Sequence, residues 1–101
     1  MRIIGFHNHI GHFKTPAGFP SWLAYWEYRT GRKAPGCLNI DCQNAVTFED
    51  LVGGHVDIFG LCGIYLIPLC TACNNYQNRN LMHSWDTDLV LVPPQLLIPD
   101  E

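Results

Sequence analysis

The sequence has no long apolar run and no excess of basic charge. Its longest apolar stretch, GIYLIPLC at 63–70, contains Pro68 and is far shorter than the ~20 residues of a membrane-spanning helix. The start, MRIIGFHNHIGHFK, has too few consecutive apolar positions for a signal peptide. We therefore expect no membrane partner and a cytoplasmic location, where cysteines stay reduced.

The charge balance also limits the classes of partner. Six basic residues and nine acidic ones give a formal net charge of −3 at pH 7. Proteins that hold nucleic acid through its phosphates normally carry a basic surface, so this composition disfavours that class. The chain of 101 residues is long enough for one domain, 1–101, whose small core would gain from a metal ion or another cross-link.

One helix has clear start and stop signals. The stretch SWLAYWEYRTG opens with Ser21, a favoured N-cap residue, and closes with Gly31, a favoured residue just past a helix end. Trp22, Tyr25 and Trp26 fall on one face at helical spacing, which predicts that this face is buried in the core. An aromatic face that binds a partner is the alternative.

Short strand-like runs separated by turn residues make up most of the remaining chain. The predicted strands are MRIIGF (1–6), the hairpin pair 46–60 and 63–69 joined by GLCG, and DLVLVPP (88–94). HNHIGHFKTPAGFP (7–20) reads as loop, and a short helix is expected to begin near Leu69 or Cys70. The final QLLIPDE is left open between docking and fraying.

Four of the five cysteines form two close pairs. Cys37 and Cys42 are separated by LNID, and Cys70 and Cys73 by TA. A tight turn brings the first pair to one side of an ion, and a first helical turn brings the second pair to the other. Because zinc in structural sites prefers four soft ligands in a tetrahedron, this spacing predicts a structural Zn²⁺ site.

Other uses of these cysteines have less support. A thioredoxin-like role for CTAC needs a βαβ context, and a disulfide needs an oxidising compartment; the sequence indicates neither. His55 in place of one thiolate is a further alternative for the metal site. Cys62 is left over in the predicted hairpin tip, where we expect a small apolar residue or an exposed thiol.

The order of these parts resembles the treble-clef zinc fold and, more narrowly, the HNH endonuclease group in its four-cysteine form. The resemblance is carried by the cysteine knuckle, the segments GGHV and IYLIPL, and CTACNN, and it covers roughly 37–80. It implies an α+β fold, in which a small treble-clef zinc domain is extended by an N-terminal helix and flanking strands.

The resemblance also implies candidate catalytic residues. In the HNH group a hairpin histidine acts as general base, and a residue just after the second cysteine pair completes a catalytic metal site. These roles fall on His55 and Asn74, and Asp57 is a further candidate metal ligand. Gly54 before His55 offers no ligand, and GLCG contains no asparagine for the middle position of the motif. Further polar candidates are Asn75, Asn78 and Asn80.

Three histidines lie close together near the start of the chain, at His7, His9 and His12. Imidazole suits zinc, copper and nickel, so a second metal site is one interpretation. No carboxylate or cysteine lies near them in the sequence to complete it. We therefore interpret them as loop histidines.

Taken together, these features predict a small zinc-stabilised binding protein of the adaptor or inhibitor type, which is non-catalytic and contacts another protein. One alternative is an HNH-type metal-dependent endonuclease. Another is a nucleic-acid-binding treble clef without catalysis, whose phosphate contacts would come from Arg29, Arg32, Lys33 and Arg79.

Overall fold

A computed structural model describes residues 1–43 and 50–100 and gives an α+β fold. Within these residues, one α-helix packs on a curled antiparallel sheet of five strands. The elements are β1 (Ile3–Asn8), α1 (Trp22–Thr30), β2 (Leu51–Ile58), β3 (Tyr65–Cys70), β4 (Met82–Trp85) and β5 (Val90–Leu91). The strand order across the sheet is β4-β1-β2-β3-β5.

Helix α1 begins and ends where the sequence predicts. The Ser21 hydroxyl accepts a hydrogen bond from the Ala24 backbone N–H at 3.0 Å. Gly31 adopts the left-handed conformation that glycine tolerates, and its N–H donates to the Glu27 carbonyl. The predicted aromatic face is confirmed as core, because Trp22, Tyr25 and Trp26 are all buried.

The predicted hairpin is also confirmed. Strands β2 and β3 pair antiparallel from Leu51↔Cys70 to Val56↔Tyr65. The connection contains Gly60 and Gly63, both with positive φ. Residues 46–49, which belong to the first predicted strand of this hairpin, lie outside the described residues.

The sheet carries a different layer on each face. Helix α1 covers β2, β3 and β5 through a cluster that includes Trp22, Trp26 and Leu66. On the other face, a second cluster around Phe6 and Val56 packs against the cysteine-bearing segments. Along β2, and along β3 as far as Leu69, the alternation of side chains separates these two sets.

Several strand and helix assignments differ from the sequence prediction. Strand β1 continues past Phe6 to Asn8, so it includes two residues that were predicted as loop. Strand β3 continues to Cys70 and turns follow it, so the short helix predicted there is absent from the described structure. The last strand is reduced to Val90–Leu91, between 3₁₀ turns at Asp86–Asp88 and Pro94–Leu96. Strand β4 was not predicted.

Within the described residues, the C-terminal segment is docked against the rest of the protein. The Lys14 N–H donates to the Ile98 carbonyl at 2.8 Å, and the Asp100 N–H donates to the His12 carbonyl at 3.0 Å. Leu96 and Leu97 pack against the α1 side of the core. Among the described residues, no helix has the length and apolar character of a membrane span.

Candidate functional site

The four predicted metal ligands come together next to the end of β3, in contact with the core cluster around Phe6 and Val56. The sulfur atoms of Cys37, Cys42, Cys70 and Cys73 all lie within 4.8 Å of one another, and this group can hold a metal ion. The Cys42 and Cys70 sulfurs are 3.7 Å apart. No disulfide bond involves any of these four cysteines in the described part of the chain. His55 is not a member of the group.

Local backbone geometry explains how two distant segments supply these sulfurs. In the first segment the Cys42 N–H donates to the Asn39 carbonyl at 3.0 Å, which closes a turn between the first two cysteines. In the second, the Asn74 N–H donates to the Cys70 carbonyl at 2.9 Å, which turns the chain directly after β3. The Leu38 N–H to Pro68 carbonyl bond, at 3.0 Å, joins the two segments.

Hydrogen bonds to sulfur reinforce the cluster. Asn39 is buried, and its side-chain amide donates to Cys73 Sγ at 3.5 Å. The Cys73 N–H lies 3.4 Å from Cys70 Sγ. Donors of this kind orient metal ligands and favour the thiolate form. Sequence reasoning missed Asn39, although its place between the two cysteines of the knuckle was the available signal.

The electrostatics of the cluster suit a cation. Burial raises the pKa of the Cys37 thiol to about 11 and also raises the pKa of Cys73. For Cys70, burial is outweighed by hydrogen bonds from Cys73 and the neighbouring thiols, so its pKa is lowered. Four thiolates this close together need a compensating positive charge, which a divalent ion supplies.

Two of the three candidate catalytic residues, His55 and Asn74, line a separate cavity of about 560 Å³. This cavity lies where β1 has ended, between the loop that follows β1 and the loop that follows β3. The His55 ring packs edge-on against Trp22 and Phe13, with centroid distances of 4.4 and 5.1 Å. Its Nε2 atom is buried and has no hydrogen-bond partner.

His55 is held in its neutral form. Burial, and then the nearby His9 and His12, lower the pKa of His55 from 6.5 to about 4. The predicted candidates Asn75, Asn78 and Asn80 follow Asn74 along the same loop, but of these three only Asn75 lines the cavity. The Asn78 side chain instead donates to the Cys73 carbonyl at 2.8 Å.

Asp57 does not line the cavity but pairs with one of the N-terminal histidines. Both of its carboxylate oxygens lie 3.0 Å from His9 Nδ1. No carboxylate lies near His9 along the chain, and the antiparallel pairing of β1 with β2 brings Asp57 to it. The carboxylate therefore holds the orientation of the His9 ring.

Comparison with protein-family models, with curated proteins and with solved structures finds no match to this chain.

Proposed function

We propose that this protein is a small zinc-stabilised binding protein of the adaptor or inhibitor type, which acts through contacts with another protein. The observation that carries the proposal is an apolar depression of about 610 Å³ at one end of the sheet. Phe59, Leu61, Ile3 and Leu81 line it, and Phe59 is 89% exposed. Exposed apolar patches of this kind mark protein–protein contact sites.

The basic side chains favour a protein partner over nucleic acid. The Arg32 guanidinium is 2.7 Å from the buried Asp88 carboxylate, and Arg29 donates to the Tyr25 hydroxyl at 2.8 Å. Lys33 Nζ lies 3.9 Å from Glu27. These cations are therefore partly committed within the chain, and an acidic protein has few others to offer phosphates.

We further propose that the four cysteines hold Zn²⁺ in a treble-clef arrangement. Zn–S bonds of ~2.3 Å in a tetrahedron separate the sulfurs by ~3.8 Å, and the Cys42–Cys70 separation is 3.7 Å. The order knuckle, hairpin, second cysteine pair follows the treble clef, with turns in place of its helix. Reduced cysteines are required, which agrees with a cytoplasmic location.

Metal analysis tests the zinc proposal. The purified chain should contain about one zinc per molecule, and Cys70→Ser should lose both the ion and cooperative unfolding, because metal binding contributes to folding in such domains. Cys62→Ser is the matched control, since Cys62 is exposed and outside the cluster. A thermal melt that strong chelator leaves unchanged would contradict the proposal.

An affinity capture from the source organism tests the protein-binding role. The double variant Phe59→Ser, Leu61→Ser should release a partner that the unchanged chain retains at about 0.15 M salt, because contacts through apolar surface are only weakly screened. Tyr28→Ser is the control, because Tyr28 is also an exposed aromatic residue, at 71%, and does not line the depression. A partner held equally by both variants would refute this surface.

A second candidate function is a metal-dependent endonuclease of the HNH type. The observation that favours it is that His55 and Asn74 line one cavity. A neutral imidazole is the form that a general base needs before it accepts a proton from water. In this candidate role, His55 would activate water, and Asn74 would help to hold a catalytic divalent ion.

Plasmid nicking separates the two candidates. The endonuclease requires nicking that depends on added Mg²⁺ or Mn²⁺ and disappears in His55→Ala, while His83→Ala, a histidine outside the cavity, keeps it. If zinc-loaded protein does not nick the plasmid with either Mg²⁺ or Mn²⁺, the endonuclease is excluded. The proposed protein-binding role is not affected by that result.

A further inference from the structure

The first three residues of β1 have a neighbouring strand on one side only. Strand β4 pairs with β1 from Ile3 to Phe6, whereas β2 pairs with β1 only from Phe6 to Asn8. Strand β2 ends at Ile58, so it does not continue alongside the start of β1. In the described part of the chain, Ile3–Gly5 therefore meet no strand on the side opposite β4.

The hydrogen-bond pattern shows which backbone groups face this open side. The His83 carbonyl accepts a hydrogen bond at 2.8 Å from the segment between the first two cysteines, and not from β1. His83 and its partner Gly5 therefore form a non-hydrogen-bonded pair, in which both residues direct their backbone groups away from each other. Because such pairs alternate along an antiparallel ladder, Ile3 points the same way as Gly5. The N–H groups of Ile3 and Gly5 thus face the open side.

The apolar depression of the proposed binding surface lies along the same open side. Ile4 packs against the core cluster around Phe6, whereas Ile3 is 54% exposed. Since neighbouring strand residues point to opposite faces, a depression that both isoleucines line opens at the edge of β1. The wall across from β1 is formed by the end of β2 and the connection that follows, at Ile58, Phe59 and Leu61.

A cation lines this apolar depression without a carboxylate beside it. Arg2 is a lining residue, and none of the lining residues in the described chain is aspartate or glutamate. The Arg2 backbone is fixed, because its N–H donates to Asp86 Oδ1 at 3.1 Å and its carbonyl accepts from the Asp86 N–H at 2.8 Å. No ion pair among the described residues includes the Arg2 guanidinium. Charge complementarity therefore favours a carboxylate on the molecule that binds.

A second copy of this chain does not complement the depression. Two copies related by two-fold symmetry would present the same patch to each other. This patch has no described carboxylate to meet Arg2. Each copy also carries a formal charge of −3, so two copies repel. The occupant that fits is a segment of a different protein.

We propose that an extended acidic segment of a partner protein binds here by adding a strand beside Ile3–Gly5. Its backbone carbonyls accept hydrogen bonds from the Ile3 and Gly5 N–H groups, as in other cases of strand addition. Apolar side chains at alternate positions fill the depression against Phe59 and Leu61, and a carboxylate meets Arg2. This inference rests on the proposed protein-binding function and specifies how that surface recognises its partner.

A display library of random twelve-residue peptides, selected on the full zinc-loaded chain, tests the chemistry of the partner. Selected peptides should be enriched in aspartate or glutamate and in large apolar residues at alternate positions. Selection on Arg2→Glu should replace the acidic preference by a basic one. Arg79→Glu is the control, because Arg79 is exposed and does not line the depression, and it should leave the acidic preference unchanged.

The affinity of one selected peptide measures the contribution of Arg2. Arg2→Glu should weaken this peptide roughly fivefold, about the effect of one exposed ion pair. A peptide in which lysine replaces the carboxylate should bind Arg2→Glu more tightly than it binds the unchanged chain. Equal affinity of the original peptide for both proteins would overturn the assignment of the carboxylate to Arg2.

Amide hydrogen exchange, followed by ¹H–¹⁵N spectra, tests the strand addition. A saturating peptide should slow exchange at the Ile3 and Gly5 amides, which face the open side. Ile4 is the internal control, because its N–H faces β4 in the ladder and should change little. A peptide that binds without protecting Ile3 and Gly5 overturns strand addition.

The remaining outcomes separate this inference from the proposed function. If Phe59→Ser, Leu61→Ser releases a peptide that leaves Ile3 and Gly5 unprotected, the binding surface stands and strand addition fails. If the double variant keeps the peptide, the depression is not its site and both proposals fail. Selection of no peptides, or of apolar peptides without acidic residues, overturns the acidic segment. A concentration-dependent dimer that the double variant abolishes would identify a second copy as the occupant and also overturn it.

Discussion

The side-chain amide of Asn8 donates a hydrogen bond to the Cys73 carbonyl at 2.7 Å, across 65 positions of sequence. The same amide nitrogen lies 3.3 Å from the carbonyls of Asn75 and Asn78. The end of β1 therefore holds the loop that carries the last cysteine of the metal centre and one wall of the cavity.

Replacing Asn8 by aspartate tests this link, because the shape is kept and the donor is lost. Asn8→Asp faces carbonyl oxygens with a carboxylate, and we expect the free energy of unfolding to fall by about 2–3 kcal/mol. Urea denaturation of zinc-loaded protein at neutral pH measures the loss. Asn80→Asp, on an exposed residue of the same loop, should change stability by less than about 0.5 kcal/mol. Equal midpoints for the two variants would show that Asn8 anchors nothing.

The same loop shows where sequence reasoning fails. Residues after Pro68 were predicted to form a short helix, but their asparagine side chains bond to the local backbone instead. Asn75 Oδ1 accepts from the Gln77 N–H at 2.8 Å, and Asn78 Oδ1 accepts from the Asn80 N–H at 3.1 Å. Such bonds compete with helical ones. Helix α1 could be predicted because its signals at Ser21 and Gly31 are local and act in the same direction.

Pairings between segments that are distant in the sequence could not be predicted from the sequence. Strand β4 has four residues and takes its place by pairing with β1, from Ile3↔Trp85 to Phe6↔Met82, which no local pattern announces. The contact of His9 with Asp57 likewise depends on the β1–β2 register. The four-cysteine group was predictable because the chemistry of sulfur ligands constrains spacing, whatever the strand order.

The packing of α1 on the sheet predicts a strong effect at Gly53. A Cβ at this position would lie 2.7 Å from both Leu23 N and the Trp22 carbonyl carbon, and this backbone cannot move without shifting the helix. Gly53→Ala should therefore cost roughly 1–3 kcal/mol, the usual penalty of overpacking. At Gly5 the nearest atom is the end of the Leu81 side chain, at 3.2 Å. Gly5→Ala should change stability by less than about 1 kcal/mol, and similar losses in both variants would contradict this view of the helix contact.

The ion pair between Arg32 and Asp88 predicts that Arg32 contributes more to the stability of the fold than its neighbour Lys33. Asp88 is buried, and the Arg32 guanidinium also stacks over Trp26 at 5.0 Å. Arg32→Ala leaves the carboxylate without its cation, and since the Arg32 side chain is 46% exposed we expect a loss of only about 1–3 kcal/mol. Lys33→Ala should stay within about 0.5 kcal/mol, because Lys33 is 83% exposed and 3.9 Å from Glu27. Equal denaturation midpoints for Arg32→Ala and Lys33→Ala would contradict this predicted difference in stability.

The lowered pKa of His55 predicts how the stability of the folded chain changes with pH. Burial, with His9 and His12 nearby, lowers its pKa from 6.5 to about 4 in the folded chain. Above pH 6.5 the imidazole is neutral in both states and contributes no pH dependence. Between pH 6.5 and about 4 the unfolded chain binds a proton that the folded chain does not, so stability falls as the pH falls. Below about pH 4 both states are protonated and this contribution is constant.

Comparison with His55→Gln isolates this term, because glutamine cannot titrate and any loss of metal in acid weakens both proteins. From pH 7 to pH 4.5 the unchanged chain should lose roughly 1–3 kcal/mol more than the variant. Urea denaturation at several pH values, with the metal content measured at each, gives this difference. If the two curves run parallel across the whole interval, the proton uptake of His55 is the same in both states. In that case the imidazole would be hydrated in the folded chain, and its packing against Trp22 and Phe13 would not shield it from water in solution.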